Sequence, residues 1–393
     1  MSRARWLQET KQMRFIEAYE GYQCKRLSQE DAAQLLGVCS RTFRRYMCRH
    51  DESGLDGLLD KRLNQRSHRK APVDEVMKLV DLYTGRYSGW NVKHFYQWYQ
   101  REHDGQRCYS WVKKVLHNEG LVKPGRKRGP HRKRREPAPL EGMMIHQDGS
   151  THEWVPGCQW DLIVTMDDAT NHHYSMFFVE EEGTWSSFRG VEDVIHDKGL
   201  FCSLYTDRGS HYWTTPEAGG KVDKVRLTQF GQAMKRLGIQ MIEAYSPEAR
   251  GRSERAFGPH QGRLPHELAL HGITDMAAAN RYLNAIYQPA FNAEFSHPSK
   301  QSGSGFVPWI GGDLDDYLCQ RYECKVGKDN CVRFQKLILQ IPEDPSRYHY
   351  VKATVQVLRH LDGTLSVMHG PRRLAKYDAQ GHFLKPIKKQ AVG

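Results

Sequence analysis

A stretch of basic residues divides this chain into two parts with different sequence patterns. Residues 123–135 hold eight Lys or Arg among thirteen residues, together with two prolines and two glycines. Proline and glycine interrupt helices, and like charges keep such a segment extended. We therefore expect independently folded parts on either side of it. The segment itself either follows a phosphate backbone, on which it becomes ordered, or is a solvated spacer.

Composition excludes several classes of protein. The 393 residues are enough for two to four domains, and 39% of them are hydrophobic, which is too many for a mainly disordered chain. No apolar run approaches the roughly 18 residues of a membrane span, and the first residues lack the apolar region of a secretory signal. We expect a soluble, cytoplasmic protein.

The cysteines and the net charge narrow the choice further. Nine scattered cysteines without C-x-x-C spacing indicate reduced thiols rather than a disulfide framework or a zinc site. Lys and Arg outnumber Asp and Glu by 58 to 46, a formal charge of +12. Such an excess favours a polyanionic partner, most simply nucleic acid, and would place the protein at the nucleoid.

Patterning along the chain predicts a multidomain α/β protein. The segments before the linker are helical, strands and helices alternate after it, and short strands follow near the C-terminus. The predicted parts are a first helical domain over 1–72, a second over 73–122, the basic linker 123–137, an α/β core over 138–300, a small β-barrel-like module over 325–377, and a basic tail over 378–393.

The first helical domain has the pattern of a helix-turn-helix. Ser28 can cap a helix whose apolar face holds Ala32, Ala33, Leu35 and Leu36, and Gly37 ends it. Ser40 is predicted to cap the next helix, Arg41–His50, with Phe43, Tyr46 and Met47 inward. The predicted DNA-binding residues of its outer face are Arg41, Arg44, Arg45 and Arg49. An ordinary helical hairpin with a charged exterior is the alternative.

A similar pattern recurs in the second helical domain. Ser110 is predicted to cap the helix Trp111–Asn118, in which Val112, Val115 and Leu116 face inward. Lys113 and Lys114 can then face DNA. Two such modules would read a longer, asymmetric DNA site than one could.

The α/β core contains three acidic residues near strand ends or early in a helix. Strands are predicted over 160–166, 174–179 and 201–205, with a helix capped by Thr184 between the last two. Asp148 belongs to a strand that precedes the central run, and Asp207 ends the strand 201–205. Glu254 lies early in a helix that follows a loop with Pro and Gly.

Phosphoryl transfer explains why three such groups would be needed. In-line attack on a phosphodiester requires an activated nucleophile and a stabilised leaving oxygen, which two Mg²⁺ ions about 3.5–4 Å apart can provide. Mg²⁺ prefers hard oxygen ligands. Each acid taken alone could equally be a turn or cap residue. Their joint order favours a site.

These residues resemble a known family. Asp148 in His-Gln-Asp-Gly-Ser, Asp207 in Thr-Asp-Arg-Gly-Ser and Glu254 in Ser-Glu-Arg are similar to the acidic triad of DDE transposases and retroviral-type integrases. The helical front and the C-terminal β module resemble the layout of insertion-sequence transposases of the ISNCY group, over roughly residues 10–375. The resemblance implies a ribonuclease-H-like catalytic core, two Mg²⁺ or Mn²⁺ ions held by the triad, and DNA strand cleavage followed by strand transfer.

This sequence departs from the family pattern in two ways: Asp207 is followed by Arg-Gly-Ser, where many relatives have Asn-Gly, and the third acid lies farther along the chain. The separation of Asp207 and Glu254 is longer than is common in the superfamily, and we place the excess in an inserted loop over 214–226. Glu248 is the competitor for the third position, but it directly follows Pro247 and would lie in the loop. Glu254 is therefore preferred.

Further basic groups would hold DNA. Arg is suited to bidentate phosphate contacts, although a solvated helix end is the alternative for those around Glu254. The additional predicted DNA-binding residues are Arg250, Arg252 and Arg255 around Glu254, and Arg126, Lys127, Arg128, Arg132, Lys133, Arg134 and Arg135 in the linker. The C-terminal module binds DNA or another subunit, or is only a structural cap. Its hairpin is predicted at Asp362-Gly363.

The sequence thus predicts a transposase that binds terminal inverted repeats and joins them to target DNA, as a homodimer or larger assembly on DNA. Walker-type phosphate loops are absent from the sequence, in agreement with a reaction that exchanges one phosphodiester for another. Two alternatives remain. One is a DNA-binding regulator with an inactive core, and the other is a nuclease for RNA–DNA hybrids, whose grooves do not suit helix-turn-helix modules.

Overall fold

A computed structural model describes residues 3–60, 71–123, 136–216, 220–244, 253–343 and 347–384. The side chains of 3–6 and 253–256, most of the linker and the end of the basic tail lie outside this description. The chain divides into two compact units, Met1–Arg86 and Tyr87–Gly393. None of the described helices is both long and apolar enough to cross a membrane.

The first unit is helical. Its described elements are α1 (Arg3–Gln23), α2 (Gln29–Leu35), α3 (Ser40–Ser53), a 3₁₀ turn (Gly54–Leu58) and α4 (Val73–Arg86). Phe15, Ala32, Ala33 and Phe43 meet in a small core, with Tyr46 and Met47 packed against it as predicted. Leu35, placed on the apolar face by its spacing, is instead 57% exposed, because the short helix ends there.

A tight turn joins α2 to α3. Ser28 caps α2 as expected. Its hydroxyl accepts the backbone amide of Asp31, and its own backbone amide donates to the Asp31 side chain, which together form a capping box. Gly37 adopts a φ of +68°, a left-handed conformation that suits glycine. The predicted cap at Ser40 is wrong: Cys39 holds that position, and its sulfur lies 3.2 Å from the Thr42 hydroxyl.

The second unit begins with two short helices, α5 (Val92–Glu102) and α6 (Tyr109–Asn118). Val112 and Leu116 of α6 are fully buried, and Lys113 and Lys114 are exposed, as predicted. The predicted cap at Ser110 is wrong, since α6 begins two residues earlier than predicted, after Cys108, whose sulfur contacts the Ser110 hydroxyl at 3.2 Å.

A five-stranded sheet forms the centre of the second unit. Its strands are β1 (Ile145–Val155), β2 (Cys158–Asp167), β3 (His173–Val179), β4 (Ser203–Thr206) and β5 (Gln240–Glu243), in the order β3-β2-β1-β4-β5. The first three are antiparallel neighbours, whereas β4 is parallel to β1 and β5 is parallel to β4. This order, with its directions, fits the ribonuclease-H-like core that the resemblance implies.

Helices cover both faces of this sheet. On one face lie α7 (Thr184–Asp197) and α8 (Gln229–Leu237), which bury Phe188 and Phe230 against Ile145 and Leu204. The other face carries α9 (Ser253–Gln261), α10 (Leu264–Leu270), α11 (Met276–Tyr282), a π turn (Leu283–Tyr287) and α12 (Gln288–Phe295). The predicted cap at Thr184 is wrong: Gly183 precedes α7, and the Ser186 hydroxyl accepts its amide at 2.9 Å.

Helix α5 docks on the core through a buried polar contact. His94 Nε2 lies 2.6 Å from Glu267 Oε1 on α10, and the hydroxyl of Tyr282 donates to the other oxygen at 2.5 Å. Trp90 stacks on His94 at a ring distance of 4.1 Å, and Lys93 pairs with Glu294 of α12 at 3.3 Å. Helix α5 is therefore fixed to the sheet domain within one compact unit, whereas α4, which the sequence assigns to the same helical domain, belongs to the first unit.

Seven short strands form the C-terminal module: β6 (Gln320–Lys325), β7 (Cys331–Phe334), β8 (Leu337–Gln340), β9 (Thr354–Arg359), β10 (Leu365–His369), β11 (Arg372–Tyr377) and β12 (Phe383–Leu384). They extend beyond the predicted range of 325–377 at both ends. Gly363 makes the expected turn between β9 and β10, with a φ of +80°. The described strands form an open sheet, β12-β11-β10-β9-β6, and a separate β7-β8 hairpin, not a closed barrel.

Buried histidines predict how the stability of this fold depends on pH. Burial lowers the pKa of His94, brings that of His173 to about 4, and holds that of His260 well below 6.5. The unfolded chain therefore binds more protons below pH 6.5, and the free energy of unfolding should fall as the pH falls toward 4, by about 1.4 kcal/mol per unit for each such histidine. We expect His260→Phe to flatten this dependence in urea unfolding between pH 6.5 and 5. An unchanged slope would contradict it.

Candidate active site

Asp148 lies on β1, and Asp207 directly follows β4, the parallel neighbour of β1. Ile145 is level with Leu204 and His146 with Tyr205 in the β1–β4 pair, and continuing this register brings Asp148 level with Asp207. Both side chains are half-buried. The carboxylate of Asp207 accepts the amide of Gly209 at 2.7 Å, and that of Asp148 accepts the amide of Gly149 at 3.1 Å. The structure thus brings the two predicted aspartates to the same edge of the sheet.

Both aspartates act electrostatically on the Tyr212 hydroxyl. This side chain is fully buried, and burial, the charge of Glu182 and the charges of Asp148 and Asp207 together raise its pKa well above 10. Tyr212 therefore stays protonated, and its hydroxyl lies 3.1 Å from Gln147 Oε1 and 3.3 Å from Glu182 Oε1. The neutral hydroxyl of Tyr212 thus contacts the Glu182 carboxylate and lies within the electrostatic influence of Asp148 and Asp207.

A third carboxylate, that of Glu182, lies beside this pair. The segment after β3 carries Glu182, whose amide donates to Asp161 at 2.7 Å. Its Oε1 lies 3.4 Å from His211 Nε2, on the turn that follows Asp207. The sequence analysis missed Glu182, because it is the last of three consecutive glutamates and nothing in the sequence distinguishes it from Glu180 and Glu181. It also missed Gln147 and Tyr212, although the first adjoins Asp148.

The remaining predicted acid can be located only by its backbone. Glu254 is the second residue of α9, which packs against β1, and its side chain is outside the described residues. The far end of α9 is anchored there, since Gln261 Nε2 donates to Ser150 Oγ at 3.0 Å. Glu248, Arg250 and Arg252 lie outside the described residues, as does the side chain of Arg255.

The other polar residues of the sheet edge have structural partners. His146 Nε2 lies 2.8 Å from Asp168 Oδ1, with both side chains buried, and the amide of Ala138 donates to Asp168 Oδ2 at 2.6 Å. Asp167 caps the turn to β3 by accepting the amides of Ala169 and Thr170. This pairing gives His146 a structural partner in the core.

The predicted inserted loop folds next to the turn that carries Asp207. Within its described residues, Thr214 bridges to Asp223, and the Arg208 guanidinium donates to the Gly220 carbonyl at 2.9 Å. The indole of Trp213 donates to Thr206 Oγ1 at 3.0 Å. The loop is therefore tied to the end of β4.

Among the described residues, no group of three or more His, Cys, Asp or Glu side chains is arranged to hold a metal ion. The sheet edge supplies two carboxylates, those of Asp148 and Asp207. Carboxylate oxygens are the hard ligands that Mg²⁺ prefers. The chemistry of this donor pair fits the predicted ion, and the third ligand would have to come from outside the described side chains.

Two helices, α3 and α6, carry exposed basic residues. On α3 the four predicted arginines, Arg41, Arg44, Arg45 and Arg49, are all exposed and line a surface depression with Cys48 and Glu52. Lys113 and Lys114 are exposed on α6. The linker residues Arg126, Lys127, Arg128, Arg132, Lys133, Arg134 and Arg135 lie outside the described residues.

Two curated proteins are similar to most of the chain. One is y4bF from Sinorhizobium fredii, provisionally named a transposase, which is 26% identical over 352 residues, or 87% of this chain and 75% of y4bF. The other is the transposase for insertion sequence IS1202 from Streptococcus pneumoniae, which is 22% identical over 366 residues, or 84% of this chain and 78% of that protein. This chain is thus a relative of two proteins that are named as transposases. No protein-family model matches it.

Solved structures similar to this transposase relative include retroviral integrases. The simian T-cell lymphotropic virus intasome in complex with PP2A regulatory subunit B56 gamma is 11% identical with a TM-score of 0.33, covering 72% of this chain and 93% of the other. The HTLV-2 integrase catalytic core domain with magnesium is 16% identical with a TM-score of 0.28, covering 37% and 89%. At these scores, the fold assignment rests on the strand order and directions of the chain itself.

The Tyr212 hydroxyl predicts a measurable contribution to the stability of this transposase relative. Tyr212→Phe leaves the buried Gln147 Oε1 without that donor, and an unsatisfied buried acceptor costs about 1–3 kcal/mol. We expect urea unfolding to show this loss, whereas Tyr109→Phe, at an exposed position, should change the free energy of unfolding by less than about 0.5 kcal/mol. Equal effects of the two substitutions would contradict the prediction.

Proposed function

We propose that the chain is a DNA transposase that binds the terminal repeats of an insertion sequence and catalyses metal-dependent strand cleavage and strand transfer. The observation that carries the proposal is the parallel pairing of β1 with β4, whose register, continued past the end of β4, brings Asp148 level with Asp207. The similarity to two transposases over more than four-fifths of the chain supports it.

Glu254 is the proposed third acid of this site. It lies seven residues before Gln261, and residues seven apart share one face of a helix. Gln261 contacts β1 at Ser150, two residues beyond Asp148. By this spacing, position 254 would share the face of α9 that carries Gln261, which supports Glu254 as the third acid.

Asp148, Asp207 and Glu254 would hold two Mg²⁺ or Mn²⁺ ions. When bound, such ions activate the attacking oxygen and stabilise the leaving oxygen of a phosphodiester. The three carboxylates contribute −3 against +4, and the remaining positive charge suits an anionic DNA backbone. Tyr212, kept protonated, orders the carboxylate edge through its hydroxyl.

The basic surfaces are proposed to hold the DNA. The arginines of α3 and the lysines of α6 would enter grooves of the terminal repeat, and the linker residues and Arg250, Arg252 and Arg255 would contact phosphates. Their exposure on α3 and α6 is the observation in favour. Coordinated joining needs two paired element ends, so at least a homodimer would assemble on DNA, at the bacterial nucleoid.

The second candidate function is a DNA-binding regulator with an inactive core. The exposed arginines of α3 are compatible with it, since they need no catalysis. The two candidates differ in the role of Asp207, which a regulator does not need.

Asp207→Asn separates these functions. The variant keeps the size of the side chain and loses the charge that would bind the cations. We expect normal binding of terminal-repeat DNA and a loss of joined product of at least 100-fold in a strand-transfer assay with Mg²⁺.

Asp197→Asn is the matched control, because Asp197 is exposed at the end of α7. It should leave strand transfer unchanged. Joining activity retained in Asp207→Asn would remove Asp207 from the metal site, and if wild-type protein also bound DNA without joining it, the regulator would be favoured.

The basic linker makes a separate prediction about salt. Replacing its Lys and Arg residues by Ser and Gly at constant length should flatten the dependence of DNA affinity on salt, because each phosphate contact contributes about 0.9 to the slope. A linker with the same residues in shuffled order should keep the wild-type slope. An unchanged slope after neutralisation would show that the linker does not contact phosphate.

A further inference from the structure

Glu182 connects two parts of the candidate site. Its backbone amide is fixed by Asp161 of β2 at 2.7 Å. Its carboxylate receives the Tyr212 hydroxyl at 3.3 Å and lies 3.4 Å from His211 Nε2. Both of these residues belong to the turn that follows Asp207, so Glu182 joins this turn to the antiparallel half of the sheet.

The same carboxylate lies against the strand of Asp148. A Cβ atom added to Gly149 would be 2.4 Å from Glu182 Oε2 and 2.7 Å from its carboxyl carbon. No side chain fits at position 149 while Glu182 keeps this position. The glycine that follows Asp148 is thus explained by the close approach of Glu182, not by its backbone conformation.

The turn after Asp207 is tightly folded on itself. A Cβ atom at Gly209 would be 2.9 Å from Asp207 Oδ1 and 2.9 Å from His211 Cε1, so His211 packs over the turn that holds the aspartate. Glu182 contacts His211 on one side and Gly149 on the other. Movement of its carboxylate would therefore be transmitted to both aspartate-bearing segments.

We propose that Glu182 is a positioning residue that fixes the spacing of Asp148 and Asp207, and that Gly149 is required because it makes room for Glu182. The inference rests on the proposed function, since it concerns the geometry of the proposed cation site. Residues that hold metal ligands in place typically contribute 10–100-fold to metal affinity. Sites of this kind tolerate displacements of only about 0.5 Å.

The first test measures Mn²⁺ binding to the full chain without DNA, by the loss of the free-ion paramagnetic resonance signal. Glu182→Ala should weaken binding 10–100-fold. Glu182→Gln should weaken it less than tenfold, because its amide oxygen can still accept the Tyr212 hydroxyl. Glu181→Ala, at the exposed neighbour, should leave the affinity unchanged.

The second test is a double-mutant cycle with Gly149. Gly149→Ala should weaken Mn²⁺ binding in the wild-type background, where the new methyl group displaces the Glu182 carboxylate. In the Glu182→Ala background the clash is absent, and Gly149→Ala should change the affinity by less than twofold. This test does not depend on the stability of any one variant, since it compares the same substitution in two backgrounds.

The outcomes separate this inference from the proposed function. If Glu182→Gln is as weak as Glu182→Ala, the charge acts on the cation directly and the positioning role is wrong. Equal effects of Gly149→Ala in both backgrounds, or unchanged binding in Glu182→Ala, also overturn it. If Asp207→Asn binds Mn²⁺ as well as wild type does, the proposed site itself fails.

Discussion

The parallel pairing of β1 with β4 is the contact on which the candidate site depends. These strands are distant in the sequence, and their hydrogen-bonded register, continued past the end of β4, brings Asp148 level with Asp207. A shift by one residue would turn one of the two side chains to the other face of the sheet. The register is held by buried side chains such as Ile145 and Leu204, which pack under α7 and α8. Core packing therefore sets the geometry of the carboxylates.

The parts of the fold that were predictable are those set by local pattern. The strands around 160–166 and 174–179, the helix after residue 184 and the turn at Gly363 follow from apolar runs and turn residues. The positions of Asp148 and Asp207 relative to strands were predictable for the same reason. The helix caps at Cys39 and Cys108 were not predictable, because cysteine is not a usual capping residue, whereas the nearby serines are.

What could not be predicted depends on contacts between distant residues. Glu182 is one of three adjacent glutamates, and only the folding of the turn after Asp207 against β1 selects it. Closure of the C-terminal strands into a barrel is a property of their pairing, not of any single strand, and the described strands pair as an open sheet. Similarly, nothing around His94 in the sequence indicates Glu267, 173 residues away.

The contact between His94 and Glu267 has a consequence for the distance along DNA between the binding sequence and the cleavage point. It joins the helices α5 and α6 to the sheet domain in one body, so both ends of the segment 124–135 are attached to the same unit. On the proposed function, α6 reads a DNA sequence and the sheet domain cuts a bond. The folded protein then sets the number of base pairs between the two.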